Sequence, residues 1–198
     1  MNIFYLSENA QECAQMHLSK HVTKMCIEYP QLMSTAHRVL DGYEEIEKRY
    51  VHGSMPARYR NTKVWRLNDA RDATLYKATH INHPSAIWCR ENKENYKWLY
   101  DMWVCLCNEY TYRYGKIHAC ARLKDALYHA PDNIPDGEFF APTPAMPQDI
   151  KIVSENPIAG RKYDVLKSYH NYYNVEKRSF ATWKGKINSR PTPEWYNI

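Results

Sequence analysis

Apolar residues recur at helical spacing along most of the chain. Ala14, Leu18, Met25, Tyr29 and Leu32 follow one another at three-, four- and seven-residue steps, the period of an amphipathic helix laid on a core. Ser7 or Asn9 can cap this helix, with Glu8 and Glu12 in its opening turn. Pro30 ends or kinks it, and the pattern resumes through Leu32, Met33, Ala36, Val39 and Leu40 until Asp41-Gly42 stops it. Pro84 suits the first turn of a second long helix, over 86–114, that Gly115 closes. Its core stripe is Tyr96, Leu99, Trp103, Leu106 and Tyr110, and Trp88, Trp98, Trp103 and Tyr110 read as mainly structural. Shorter helices are predicted near 118–129 and 162–183. The apolar run at residues 2–6, NIFYL, reads as extended and buried, which brings the N-terminus to the core.

Two stretches break the pattern. Residues 43–79 open with the charged run EEIEKR and continue with RYRNTKVWR, which interleaves basic and aromatic residues. This is either a flap that lies along a nucleic-acid backbone or an ordinary polar surface insertion. Residues 131–160 are rich in Pro and Asp, yet Phe139, Phe140 and Met146 make them a wrapping loop rather than free linker. With no domain boundary and no internal repeat, the pattern predicts an all-α protein: a single compact helical domain over 1–198 with irregular insertions.

Composition adds a partner class. The net charge is +5, and the chain carries 17 Tyr and 6 Trp. Aromatic rings stack on bases and Arg pairs with phosphate, so duplex DNA or a nucleotide is a natural partner. A mildly basic protein with an aromatic core has the same composition. The six cysteines, at positions 13, 26, 89, 105, 107 and 120, form no CxxC pair and read as reduced, buried hydrophobes of a cytosolic protein. MNIFYLSENA lacks the features of a signal peptide, and no stretch approaches membrane-spanning length. The expected location is the cytoplasm, that of the host cell for a viral protein, with no membrane partner.

The candidate chemistry lies in two clusters. His17, His21, Lys24 and Glu28, spaced by four, three and four residues, fall within about 60° of one another on the helical wheel. They border the apolar face, as the wall of a reaction site would. The alternative is an exposed helix edge with a Lys24–Glu28 ion pair. His80, Asn82 and His83 form the second cluster, unless Asn82 or His83 simply caps the following helix. Base excision needs an amine or activated water to attack the anomeric carbon, and a carboxylate to stabilise the cationic sugar. Lys24 and Glu28 supply those types, and His17 and His21 can donate protons or contact phosphate. Arg58, Arg60, Lys63 and Arg66, with Arg90 and Arg113 nearer the pocket, are the candidate phosphate contacts. His17 and His21 have the i, i+4 spacing that grips zinc, with His80 or His83 to complete a site. The Glu of HExxH is absent and Lys24 would oppose the ion, so neither metal nor cofactor is assigned. There is no phosphate-cradling Gly-rich loop, nucleophile elbow or dinucleotide fingerprint.

Three blocks in order carry a resemblance: Ala14-QMHLSKH; His80 to Lys116 with Trp88, Arg90, Tyr96, Leu106, Glu109, Arg113 and Gly115; and Glu176-KRSFATWKGKINSRPTPEWY. Together they touch about half the chain. They resemble the phage and chlorovirus pyrimidine-dimer DNA glycosylases of the endonuclease V type. The resemblance implies an all-helical, endonuclease V-like fold that binds duplex DNA and excises a damaged base. It also implies attack by the α-amino group of a Thr exposed by Met removal, assisted by a Glu on the first helix. This chain has Asn at position 2, and matching His17 to the family's first-helix His puts Lys24 at that Glu position and Thr23 at an adjacent Arg position. The expected function is that of a viral DNA-acting enzyme, a base-excision glycosylase/lyase or base-modifying enzyme. Its alternatives are a non-catalytic nucleic-acid or nucleotide binder on the same fold and an enzyme of free or modified nucleotides.

Overall fold

The computed structural model describes residues 1–53, 55–56, 58–158 and 160–197. Helices α1 (Ala10–Met16) and α2 (Ser19–Asp41) lead into a hairpin of β1 (Tyr43–Tyr50) and β2 (Tyr59–Arg66). A single turn α3 (Arg71–Thr74), helix α4 (Pro84–Cys89), the long α5 (Lys93–Tyr114) and the short α6 (Lys124–Tyr128) follow. A second hairpin, β3 (Ile152–Ile158) with β4 (Arg161–Asp164), precedes α7 (Val165–Glu176). The fold is therefore mostly helical, and the two antiparallel hairpins correct the all-α expectation. Both fall largely where the sequence reading put a flap and a wrapping loop. In β1–β2, pairing runs from Tyr43↔Arg66 to Tyr50↔Tyr59, and Glu44–Lys63 at 2.9 Å and Glu45–Arg66 at 3.4 Å join the strands. Cross-strand pairs stabilise a sheet that has no fully buried face, so the apolar alternation that announces a strand is absent here.

The first predicted helix is two helices. At the break, the carbonyls that close α1 are taken by donors from distant segments. Arg113 Nη2 bonds Gln15 O at 2.7 Å and Nη1 bonds His17 O at 2.9 Å, while Trp183 Nε1 bonds Met16 O at 2.7 Å. Helix ends must satisfy these groups; here tertiary partners do so, and local sequence cannot signal the break. Pro30 shows the converse. It lacks the N–H that would bond Cys26 O four residues back, and Trp103 Nε1 of α5 donates to that carbonyl at 3.1 Å. Helix α2 thus passes through the proline unbroken.

The core lies between α2, α5 and the buried N-terminal run. Ile3, Phe4, Tyr5 and Leu6 pack with Met25, Tyr29, Leu32, Tyr96, Leu99, Trp103 and Leu106, joined by Tyr169 and Tyr173 of α7. Trp88 and Trp103 are buried, whereas Trp98 is partly exposed and bonds Glu8 O at 2.9 Å. Five cysteines are buried and Cys105 is half-buried. No helix among the described residues is long and apolar enough to cross a membrane. Trp103→Ala is expected to cost about 3–5 kcal/mol by leaving a cavity. It also frees the Cys26 carbonyl. Urea unfolding followed by circular dichroism measures the loss; a change below about 1 kcal/mol would contradict this packing.

Candidate active site

Helix α2 carries the site because two strips of chain are tied along it. The first is the N-terminal run. Phe4 N–H donates to Tyr29 Oη at 3.2 Å, Tyr29 O–H donates to His17 Nε2 at 2.8 Å, and His17 Nδ1–H donates to Cys13 O at 2.7 Å. The carbonyl can only accept, which fixes the neutral His17 tautomer and the direction of the chain. Phe4 stacks on His21, with ring centroids 4.0 Å apart, and His21 Nδ1 meets Tyr173 Oη at 2.7 Å. The second strip is the 76–83 segment. Arg38 Nε bonds Tyr76 O at 2.7 Å, and Thr35 Oγ1 accepts from Thr79 N–H at 3.2 Å.

The strips come together at His83, which lies within electrostatic reach of Glu28. One carboxylate oxygen, Oε1, is 3.1 Å from Lys24 Nζ. The other, Oε2, is buried and has no hydrogen-bond partner among the described residues. His83 is close enough to feel Glu28, His80 and the backbone amine of Met1. Burial is the main force that lowers its pKa, the amine and His80 add to it, and Glu28 opposes them. Ser85 N–H donates to His83 Nδ1 at 3.1 Å, which makes His83 the N-cap of α4 and leaves the proton on Nε2. Ser85 Oγ reaches Met1 O at 3.4 Å, so the same turn holds the start of the chain. His80, exposed, has φ of +50°, a conformation uncommon for a side-chain-bearing residue, and its Nδ1 is 2.7 Å from Thr79 Oγ1.

The sequence-predicted stripe is thus divided. Lys24 and Glu28 form an ion pair, Glu28 is within electrostatic reach of His83, and Asn82 is exposed on the His80–His83 loop. His17 and His21 are buried against Phe4 and Tyr173 and belong to the core. Burial pushes His17 down to about 4 and His21 to about 2. Their expected role as proton donors or phosphate contacts is corrected: neither reaches solvent, and His17 uses both ring nitrogens, which also removes the i, i+4 zinc pair. The Lys24 side chain, placed by its spacing at the border of the apolar face, is 64% exposed and held in solvent by its ion pair with Glu28.

The basic residues divide in the same way. Arg113 is fully buried, with Nε on Glu109 at 2.6 Å and the remaining groups on α1 carbonyls; it is a structural cation and not a phosphate contact. Glu109 also holds Arg190, Nη2 to Oε2 at 2.9 Å. Arg66 bonds Glu45 and Glu47, and Lys63 pairs with Glu44. Arg58 and Arg60 are exposed on the hairpin. Arg90 closes α4 with a buried Nη1 that has no hydrogen-bond partner. Sequence reasoning missed the amine of Met1 and Ser85, which the fold brings together at His83, and the Tyr29 hydroxyl, which it brings to His17. The buried NIFYL run was the one available signal. Compared with family models, curated proteins and solved structures, the chain matches none, and the functional reading rests on these residues.

Proposed function

We propose that the protein is a DNA-acting base-excision enzyme, a glycosylase with lyase activity, that works at Glu28. The observation that carries this reading is a half-satisfied carboxylate whose Oε2 is buried, paired through Oε1 with the Lys24 amine and within electrostatic reach of the capping His83, which also feels the amine of Met1. The amine is Lys24 Nζ or the backbone amine of Met1. Glu28 accepts the proton the ammonium must lose before it attacks. The amine nitrogen then bonds C1′ as the glycosidic C1′–N bond breaks, and the electron pair leaves with the base. In this reading His83, neutral with its proton on Nε2, hydrogen-bonds the departing base, which takes up its proton from water. The second amine proton is lost as the C1′–O4′ bond breaks and O4′ takes up a proton, which opens the sugar to a Schiff base. Glu28 also stabilises the cationic sugar along the way. A duplex is recognised through phosphate contacts by exposed cations, with the target base taken out of the stack.

Glu28→Gln is expected to lower single-turnover cleavage of a lesion-bearing or abasic duplex by about 10²–10⁴-fold. The helical circular dichroism should be unchanged, because Oε2 makes no bond that the fold needs. Equal turnover in the variant would refute a catalytic role for Glu28. A second reading, a nucleic-acid binder without catalysis, is favoured by one fact: Lys24 is exposed and held in an ordinary i, i+4 ion pair. That binder would retain DNA affinity with no cleavage by any variant or by the parent protein.

A further inference from the structure

We propose that the distal half of the β1–β2 hairpin grips an unpaired stretch of nucleic acid, with Tyr59 stacked on a base and Lys48 on a neighbouring phosphate. This rests on the reading of a nucleic-acid partner, but not on any chemistry at Glu28. Charge is segregated along the ribbon. Residues 48–60 hold Lys48, Arg49, Arg58 and Arg60 and no carboxylate. The proximal part, 43–47 with 61–66, holds Glu44, Glu45 and Glu47 against Lys63 and Arg66. Those proximal cations are spent on the proximal carboxylates, and Arg66 reaches Asp72 as well. Arg49 turns back to Glu47 at 3.0 Å, while Lys48 and Arg60 face solvent without a carboxylate partner among the described residues.

The two faces of the ribbon differ too. Paired residues share a face, so the register puts Glu45, Glu47, Arg49, Arg60, Val64 and Arg66 on one side and Glu44, Ile46, Lys48, Tyr50, Tyr59 and Lys63 on the other, where Glu44 pairs with Lys63. The first side lies over the α3 segment, where Arg66 and Arg38 both meet Asp72. The second side is open: Ile46 is 62% and Tyr59 66% exposed. Tyr59 is backed edge-on by Tyr50 at 5.8 Å, and His52 packs against Tyr50 at 5.5 Å. A supported, exposed ring with Lys48 on its own face and Arg60 beside it in the strand matches the stacking platforms of single-strand binders. Bases inside a duplex are already covered by their neighbours, so the ring selects an unpaired or extruded base.

The test is fluorescence anisotropy of the full chain with a mixed-sequence single-stranded oligonucleotide, a blunt undamaged duplex and heparin, a polyanion without bases. Tyr59→Ala is expected to weaken oligonucleotide binding about 5- to 100-fold and to leave heparin binding unchanged, and Tyr59→Phe to restore it. Lys48→Ala should weaken all polyanions and flatten the salt dependence by about 0.7 per lost single-strand phosphate contact. Unchanged oligonucleotide affinity in Tyr59→Ala overturns this proposal alone. A parallel loss for heparin overturns the stacking in it. No affinity of the parent protein for any nucleic acid overturns both this proposal and the enzymatic reading.

Discussion

Stability should fall steeply as the pH drops from 6.5 towards 4. Three buried histidines are held neutral: His17 and His37 with pKa values lowered to about 4, and His21 to about 2. Burial is the main cause in each. Arg113 adds to it at His17, His17 itself and the lysines Lys177 and Lys24 at His21, and Arg71 at His37, where Asp41 opposes. Hydrogen bonding explains why a proton is refused. At His37, Arg71 Nη1 donates to Nδ1 at 3.0 Å, Nε2 donates to Tyr96 Oη at 2.9 Å, and Tyr96 donates to Leu127 O at 2.9 Å. A proton on Nδ1 would point an N–H at a guanidinium. At His17, a proton on Nε2 would face the Tyr29 hydroxyl hydrogen. The unfolded chain binds these protons near pH 6.5 and the folded chain does not, so stability is complete above that value and is lost on acidification. Each histidine contributes a loss on the order of 3 kcal/mol by pH 4, and the three together suffice to unfold a domain of ordinary stability. Urea midpoints measured from pH 8 to pH 4 check this. A flat profile down to pH 5 would show that these imidazoles are not held neutral.

Arg38→Ala should come close to unfolding the protein. The side chain is 2% exposed and every guanidinium nitrogen is engaged. Nε bonds Tyr76 O at 2.7 Å, Nη1 bonds Trp65 O at 2.9 Å and the Asp72 carboxylate, and Nη2 bonds Asp72 O at 2.8 Å and Leu75 O at 3.1 Å. One side chain thereby ties α2 to the hairpin, to α3 and to the segment that leads to His80. Removing it leaves a carboxylate and four carbonyls without that partner, at a cost of about 5 kcal/mol or more. Arg38→Lys should recover little of this, because an ammonium cannot span the fork. Gly42 sits at the same junction, where an added Cβ would lie 2.2 Å from Arg66 O and 2.5 Å from Arg38 O. Thermal unfolding of Arg38→Ala measures the effect, and a shift of only a few degrees would contradict it.

Long periodic stretches were legible in the sequence. The α2 and α5 stripes, the cap at Asn9, the stop at Gly115 and the burial of NIFYL all follow from spacing and capping chemistry. What was illegible depends on distant partners. The α1–α2 break needs Arg113 and Trp183, the passage through Pro30 needs Trp103, and the β1–β2 hairpin leans on cross-strand charge rather than on apolar alternation. The same holds for the candidate site. Helical spacing brought Lys24 and Glu28 together correctly, but spacing cannot tell which half of a stripe turns inward. Phe4 decides that by stacking on His21.

The central claim is that an amine beside Glu28 attacks DNA. Borohydride reduction during incubation with an abasic-site duplex tests it most directly, because only a Schiff base between protein and sugar is trapped. The expected result is a covalent complex whose mapped attachment is Lys24 or the amine of Met1, and its loss in Glu28→Gln at equal duplex affinity. Duplex binding with no trapped complex, or trapping at a lysine away from α2, would contradict it.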